Sequence, residues 1–232
     1  MLAGVRRTGD APAGTEELRL DVTDPTQIRA AADRVERLDG LVNNAGIVVA
    51  APLEELPLDE LRRQLEVNVV GQLAVTQALL PALRAARGRI VLVGSIAGRS
   101  ALPFLGAYAI SKFALEAIAD ALRLELQPDG VDVALLEPGT IATPMWTRPQ
   151  RVAEQASERY RPRLEALRAT AAARAARAAP AELVAEAVEH ALTASRPRTR
   201  YVVGRDAKLR AAIERLPDRV RDRVLARVLF GG

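Results

Sequence analysis

The chain has 232 residues and a formal net charge of +4, with no cysteine and a single histidine. These counts exclude disulfides, thiolate catalysis and cysteine-ligated zinc, and they leave no basis for a histidine metal cluster or a Ser-His-Asp triad. Nearly half of the residues are apolar, but no apolar run is expected to span a membrane and no signal-peptide pattern follows Met1. The sequence therefore predicts one cytoplasmic domain over residues 1–232.

Strand-like and helix-like segments alternate along the chain. Strands are predicted at residues 2–7, 18–21, 41–43, 89–94, 131–136 and 201–203, and long helices at residues 58–83 and 105–127. This alternation predicts an α/β fold, a Rossmann-like doubly wound parallel sheet flanked by helices. Ligands of such folds bind beyond the carboxyl ends of strands, so residues 43–46, 94–95 and 138–143 are candidate site segments.

Tyr108 and Lys112 stand four residues apart in a predicted helix, with Ser95 thirteen residues before the tyrosine. Positions i and i+4 share a helix face, so the phenol and the ammonium point the same way. A nearby cation is expected to lower the pKa of Tyr108 and to make it a proton donor and acceptor near neutral pH. Taken singly, Tyr108 is more simply a helix-surface tyrosine, Lys112 a solvated lysine and Ser95 a strand-to-loop turn residue.

The motifs together resemble a known family. Their order and spacing are those of the short-chain dehydrogenase/reductases, and they comprise Asn43-Asn44-Ala45-Gly46, Asn68, Ser95, Tyr108-x3-Lys112 and Pro138-Gly139-Thr140-Ile141-Ala142-Thr143. The stretch around residues 95–116 resembles the steroid and retinol dehydrogenase branch. The resemblance implies hydride transfer between NADP(H), or NAD(H), and the alcohol or carbonyl group of a steroid-, retinoid- or lipid-like substrate.

Four catalytic roles are implied by this resemblance. Tyr108 is the general acid in reduction or the base in oxidation, and Lys112 lowers its pKa and binds the nicotinamide ribose. Ser95 donates to the substrate oxygen, which gains negative charge as hydride arrives. Asn68 holds a water in a proton relay behind Lys112; the alternative is a helix-interior amide bonded to backbone.

The resemblance also implies a cofactor site. Asp21 and Val22 contact the adenine edge, Asn44, Ala45 and Gly46 line the adenosine side, and Pro138, Gly139, Ile141 and Thr143 hold the carboxamide and diphosphate. Arg6 and Arg7 stand where an acid would favour NAD, and arginine instead suits the extra phosphate of NADP. The alternatives are a surface arginine pair at residues 6–7 and ordinary turns at the other segments.

The predicted substrate pocket is apolar. Phe104, Met145 and Trp146 flank Ser95 and Tyr108, and residues 144–180 are expected to form a lid that sets specificity. Phe104 and Trp146 could equally be core residues. These side chains suit a small hydrophobic alcohol or ketone.

Partners are suggested by the tail and by the resemblance. Residues 206–230 are predicted to form amphipathic helices that pack on the domain or on a dimer partner, or that lie on an anionic membrane surface. A homodimer or homotetramer is implied by the resemblance. Nucleic acid is not an expected partner, because no basic stripe with stacking aromatics is present.

One family motif is not in the sequence. The Gly-rich turn Thr-Gly-x-x-x-Gly-x-Gly does not occur, and the chain begins on what resembles the second strand of the family. We expect the first strand and helix of the family pattern to be missing, the sheet to open beside residues 41–43, and dinucleotide binding to be weak. A longer native protein is the favoured explanation; a cofactor-free relative with a binding or regulatory role is the other function class.

Overall fold

The computed structural model of the chain describes residues 1–143, 145 and 156–230. Strands and helices alternate as predicted. The strands are β1 (Leu2–Val5), β2 (Glu16–Arg19), β3 (Gly40–Asn43), β4 (Arg89–Val93), β5 (Asp132–Pro138) and β6 (Arg200–Val203). The α-helices are α1 (Pro25–Asp33), α2 (Leu58–Leu65), α3 (Gly71–Ala86), α4 (Gly106–Glu125), α5 (Arg161–Ala175), α6 (Glu182–Thr193), α7 (Arg205–Ile213) and α8 (Asp218–Phe230).

The described strands form two parallel sheets. One sheet pairs β1 with β2, and the other has the order β3-β4-β5-β6. The predicted α/β Rossmann-like fold is confirmed. Among the described residues β1 pairs with β2 alone and β3 with β4 alone, so the sheet is divided where the doubly wound strand order places one further strand.

The core lies around the four-stranded sheet, which is buried on both faces. Ile90, Leu92 and Leu135 pack against Leu115 of α4 on one face. Val91, Leu136 and Tyr201 pack against α6 on the other face. Because side chains alternate across a strand, a strand buried on both faces reads as a continuous apolar run. The edge strands are less covered: Leu2 of β1 and Val42 of β3 are each 38% exposed.

The helix from Leu58 to Ala86 is continuous, because a π turn at Glu66–Val70 joins α2 to α3. Its length and apolar composition would permit a membrane span, so the expectation that no segment of the sequence could do so is wrong. A core helix of a soluble protein meets the same criteria. Here the helix buries the polar side chains of Gln64, Asn68, Gln72 and Thr76 inside the fold, and these four residues position the end of β3 and the loop after it.

The tail forms two helices, α7 and α8. α8 packs against α5, with Leu229 buried and Val224 and Leu225 partly buried. Val220 and Val228 remain exposed. The amphipathic pattern of the tail is therefore used in part for packing on the remainder of the chain.

Candidate active site

Ser95, Tyr108 and Lys112 meet beyond the carboxyl end of β4. Ser95 begins the 3-10 turn Ile96–Gly98, and its Oγ donates to the carbonyl oxygen of Pro138 at 3.4 Å. Tyr108 and Lys112 lie one turn apart on the buried face of α4, with the Lys112 Nζ 5.6 Å from the centre of the phenol ring. The side chains of Ser95 and Tyr108 share a hydrogen bond. The three residues predicted from spacing are thus one cluster.

The pKa of Tyr108 is raised, because burial removes the phenolate from water; the hydrogen bond with Ser95 opposes this effect only in part. The prediction that Lys112 lowers the pKa of Tyr108 is therefore wrong for this structure. Lys112 is itself buried, and burial lowers its pKa to about 8. Its ammonium donates to the carbonyl oxygen of Val93 at 2.8 Å, so the cation is directed at the strand end rather than at the phenol oxygen.

Asn68 lies fully buried in the π turn, and its side chain is committed to neighbouring groups. Its Oδ1 accepts from the Ile47 N–H at 2.8 Å, and its Nδ2 donates to the Ile47 carbonyl at 3.0 Å and to Ser111 Oγ at 3.1 Å. This is the backbone-bonding alternative considered from the sequence. The amide fixes the loop after β3 to the helix that carries Tyr108 and Lys112, while the proton-relay role of Asn68 stays a prediction.

A polar ladder at residues 64, 68, 72 and 76 extends this arrangement along one face of the helix. Gln64 accepts from Val49 N–H at 2.6 Å and donates to the Ile47 carbonyl at 2.7 Å. Gln72 donates to the Ala45 carbonyl at 2.6 Å, and Thr76 Oγ1 accepts from Asn43 Nδ2 at 2.9 Å. The polar ladder binds the last residue of β3 and the loop after it at successive points, because side chains four residues apart share a helix face.

Gln64, Gln72 and Ser111 were missed from the sequence. Ser111 Oγ donates to the Tyr108 carbonyl at 2.7 Å, accepts from Asn68 and lies 3.4 Å from Gln64 Nε2. The sequence does contain a signal, which is a polar residue at every fourth position of an otherwise apolar helix. Such residues are costly to bury unless they are hydrogen-bonded. That pattern indicates a specific partner segment.

The residues assigned to the adenosine end lie at the carboxyl ends of β1, β2 and β3. Arg6 and Arg7 are exposed just after β1. Asp21 follows β2; its pKa is lowered chiefly by the hydrogen bond from the Thr23 N–H, with a further contribution from the charge of Arg6. Val22 is partly buried next to it. Arg6 and Asp21 are thus close enough to interact.

The loop after β3 presents the second group of predicted cofactor residues. Asn44 and Ala45 are exposed, and Gly46 is half-buried beside Asn68. A Cβ on Gly46 would lie 3.5 Å from Asn68 Oδ1, which is ordinary contact. The surface of this loop is therefore free to contact a ligand, whereas its inner face is held by the polar ladder.

The segment Pro138–Thr143 is held from two sides. The Thr140 N–H donates to Asp206 Oδ2 at 2.6 Å, and a Cβ on Gly139 would lie only 2.2 Å from Asp206 Oδ1. Ile141 forms an isolated parallel bridge with Ala179. Glycine at position 139 is therefore required by the approach of Asp206, a residue that the sequence did not single out.

The predicted substrate residues are only partly described. Phe104 is buried in a small apolar cluster with Ala156 and Leu164, and its ring meets Tyr160 edge-on at 5.9 Å. Its φ of 64° lies in the left-handed region, which is costly for a bulky residue. Met145 is half-buried. Trp146, with residues 144 and 147–155 of the predicted lid, lies outside the described residues.

These residues fit a nicotinamide dinucleotide at its two ends. Lys112 and the 138–143 segment stand at one end, and the carboxyl ends of β1, β2 and β3 at the other. The Gly-rich turn that binds the diphosphate in the family is not in the sequence. The match to the cofactor is therefore to its nicotinamide and adenosine parts.

Comparisons with known proteins agree with the motifs. The family described as short chain dehydrogenase matches residues 7–155. The chain is 37% identical over 266 aligned residues to retinol dehydrogenase 5 of Mus musculus, covering 94% of this chain and 78% of that protein. It is 37% identical over 234 residues to 17-beta-hydroxysteroid dehydrogenase type 6 of Homo sapiens, covering 91% and 73%. A short chain dehydrogenase of Burkholderia cenocepacia, solved in complex with NADP, superposes with a TM-score of 0.75 at 28% identity, covering 98% and 85%.

Proposed function

This chain belongs to the short-chain dehydrogenase/reductase family and is an oxidoreductase, and from that premise we propose that it transfers a hydride between NADP(H) and the alcohol or carbonyl group of a hydrophobic substrate. The observation that carries the proposal is the cluster of Ser95, Tyr108 and Lys112 beyond β4. Substrates of steroid, retinoid or lipid type suit it best. A non-catalytic binding role is not favoured, because the chain retains all four catalytic candidates, Asn68 included.

In this proposal the bound cofactor supplies or accepts the hydride. Tyr108 provides the proton: its raised pKa keeps the phenol protonated at neutral pH, ready to protonate a substrate oxygen during reduction. Ser95 Oγ donates to the same oxygen and stabilises the negative charge that develops there. Lys112, fixed by Val93 at the end of β4, holds the ribose end of the cofactor.

The preference for NADP rests on Arg6 and Arg7. Both are exposed, Arg6 is close enough to Asp21 to interact with it, and no acid stands in residues 5–8. Two guanidinium groups suit a 2′-phosphate, because arginine binds phosphate through paired N–H donors. The NADP complex of the Burkholderia cenocepacia relative supports this choice.

The cofactor proposal is tested by changing Arg6 and Arg7 to glutamine together. We expect KM for NADPH to rise about tenfold or more and KM for NADH to stay the same, since NADH lacks the phosphate. Arg29→Gln, an exposed arginine of α1, is the matched control. Equal effects of the double variant on both cofactors would contradict the assignment.

The substrate proposal rests on the apolar surroundings of Phe104 and on the names of the relatives, which are retinol and hydroxysteroid dehydrogenases. A panel of ketosteroids, retinal, simple aldehydes and polar sugars tests it, with NADPH and NADH offered separately. Turnover of the steroids or retinal supports the proposal. Turnover restricted to small polar sugars would contradict it.

Cofactor affinity is expected to be weak in these 232 residues. The divided sheet and the lack of the Gly-rich turn remove the backbone N–H groups that would bind the diphosphate. Titration of the protein with NADPH, followed by nucleotide fluorescence, measures this. A Kd in the micromolar range would contradict the expectation.

We also propose a homodimer or homotetramer through the outer faces of α3 and α4. Ile110 and Phe113 of α4 and Val70 at the start of α3 are exposed apolar side chains on these faces. Ultracentrifugation of the parent and of Phe113→Asp tests this, and a parent that sediments as a monomer contradicts it. A cytoplasmic location remains part of the proposal.

Peripheral contact with an anionic membrane is the weaker partner proposal. Arg219, Arg223 and Arg227 form an exposed stripe along α8, beside the exposed Val220 and Val228. Basic and apolar side chains on one exposed helix face suit an anionic lipid surface. Co-sedimentation with anionic and neutral vesicles tests it, and equal recovery with both contradicts it.

A further inference from the structure

An ion cluster lies directly behind the site of Ser95, Tyr108 and Lys112. It joins two arginines and three carboxylates: Arg99, Glu116, Asp120, Glu137 and Arg200. Glu137 on β5 is fully buried, and its Oε1 accepts from Arg99 Nη2 at 2.7 Å and from Arg200 Nη1 at 2.9 Å. A buried carboxylate needs such partners to remain charged.

Arg200 on β6 is the centre of this ion cluster. Besides Glu137 it binds Glu116 through Nη1, and it binds both oxygens of Asp120 through Nη2 at 2.8 and 2.9 Å. Glu116 and Asp120 lie on successive turns of α4. One guanidinium therefore ties α4 to β5 and β6.

Three residues of the ion cluster are close in sequence to residues of the active site. Arg99 directly follows the turn Ile96–Gly98, which starts at Ser95. Glu116 lies one turn after Lys112 on α4, and Glu137 precedes Pro138, the residue whose carbonyl oxygen accepts from Ser95 Oγ.

The turn and the helix touch at Gly98. A Cβ at this position would lie 2.9 Å from the Lys112 carbonyl oxygen and 3.0 Å from Glu116 Oε1. Real Cβ atoms rarely come so close, so the turn rests directly on the backbone of Lys112. The charges that hold the turn therefore also set the distance between Ser95 and Lys112.

The cluster is not arranged for stability alone. Within the described part of the chain, Glu116 Oε1 and Glu137 Oε2 are buried without a hydrogen-bond partner. Burial raises the pKa of Glu116, and the nearby charge of Glu137 adds to this, while Arg200 opposes it. Buried ion pairs commonly recover little more than their desolvation cost, so a purely stabilising role explains the cluster poorly.

We propose that Arg200 and Glu116 are positioning residues, which clamp the turn Ile96–Gly98 onto α4 and so fix Ser95 relative to Tyr108 and Lys112. The kinetic consequence rests on the proposed function, whereas the clamp itself rests on the contacts of these side chains. Small displacements of reacting groups lower catalytic rates steeply. The clamp is therefore expected to affect kcat and the accessibility of Lys112 together.

Two conservative variants test the clamp. Arg200→Lys keeps the charge but cannot bind three carboxylates with one planar group, and Glu116→Gln removes one arm. Arg123→Gln is the matched control, because Arg123 binds the same Asp120 at 3.1 Å from the outer side and makes no ion pair with Glu116 or Glu137 among the described residues. We expect kcat to fall about tenfold or more in both test variants, and the control to retain the parent kcat.

A second readout does not depend on activity. Lys112 and Lys208 are the two lysines of the chain, so the rate at which an amine-modifying reagent labels Lys112 can be measured against exposed Lys208 in one digest. In the parent, Lys112 should label slowly with a midpoint near its pKa of about 8. In Arg200→Lys and Glu116→Gln the midpoint should move up toward 10.5, the ordinary value for lysine, and the labelling rate of Lys112 relative to Lys208 should rise several-fold at the high-pH plateau, where both amines are unprotonated. The control should show neither change.

The outcomes are distinguishable. A folded Glu116→Gln or Arg200→Lys protein with the parent labelling ratio and midpoint overturns the clamp, whether or not kcat falls. A raised labelling rate together with a lowered kcat supports it. If the parent turns over no substrate but the labelling of Lys112 still rises in both variants, the proposed function fails and the clamp stands.

Discussion

Asn68 and Ser111 are joined by a hydrogen bond of 3.1 Å, from the Asn68 Nδ2 to the Ser111 Oγ. The Ser111 Oγ in turn donates to the Tyr108 carbonyl oxygen at 2.7 Å. The π turn of one helix is therefore bonded to the turn of α4 that carries the catalytic pair. Through the Ile47 backbone the same amide also holds the loop after β3. The candidate proton donor is placed by groups that never touch a substrate.

Ser111→Ala tests this connection. It leaves the buried Asn68 and Gln64 amides without one of their acceptors, so we expect a loss of about 1–3 kcal/mol in the free energy of unfolding and a lowered kcat. Urea unfolding and initial rates measure the two effects. Ser100→Ala is the control, because Ser100 Oγ is buried with no hydrogen-bond partner among the described residues, and it should change neither. A Ser111→Ala variant with the parent free energy of unfolding and the parent kcat would show that the hydrogen bond between Asn68 and Ser111 does not position α4.

Tyr108→Phe separates chemistry from packing. The change keeps the buried ring and removes the proton, so kcat should fall by roughly 10²- to 10⁴-fold while the fold is retained. Tyr201→Phe is its matched control: this buried tyrosine bonds His190 Nδ1 at 2.9 Å and the Arg198 N–H at 3.0 Å, away from Ser95 and Lys112. The control should lose about 1 kcal/mol of stability at the parent kcat. Comparable activity in both variants would remove Tyr108 from the reaction.

The spacing of Ser95, Tyr108 and Lys112 could be read from the sequence because each element that presents them is locally encoded. The apolar run of β4 ends at Gly94, so Ser95 is expected at a carboxyl strand end. The i, i+4 relation on α4 needs no tertiary information. Strand and helix alternation likewise yields the parallel topology.

Other parts of the site depend on contacts that no local pattern records. Arg200 meets Glu137 across 63 residues of chain, and Asp206 meets Thr140 across 66. Nothing near these residues in the sequence indicates their partners. The direction of the Tyr108 pKa shift was missed for the same reason: it is decided by burial, which is a property of the assembled fold.

Ser95→Ala should change a pH profile as well as a rate. The hydrogen bond with Ser95 lowers the pKa of Tyr108 against the larger effect of burial, so its loss should raise that pKa further. Alcohol oxidation needs the phenolate as base. The rise of kcat/KM for oxidation with pH should therefore move to higher pH in Ser95→Ala, in addition to a lower plateau. A profile that keeps its position while losing height would show that the two hydroxyls are not coupled.

Lys112→Met should abolish turnover and raise the free energy of unfolding, and the size of this stabilisation should depend on pH. Burial lowers the pKa of Lys112 to about 8 from the ordinary 10.5. Below pH 8 both folded and unfolded chains are protonated and the folded state bears the full desolvation cost. Between about pH 8 and 10.5 the unfolded chain binds more protons, so the stability of the parent rises with pH.

Methionine has no such cost, and at pH 7 we expect Lys112→Met to be more stable by about 2 kcal/mol, after allowing for the lost bond to Val93. This advantage should shrink as the pH rises toward 10, while turnover is abolished at every pH. Urea unfolding at pH 7, 8, 9 and 10 measures it, with exposed Lys208→Met as the control that should differ from the parent at no pH. An advantage that stays constant across this range would mean that Lys112 is not held in a depressed ionisation state by burial.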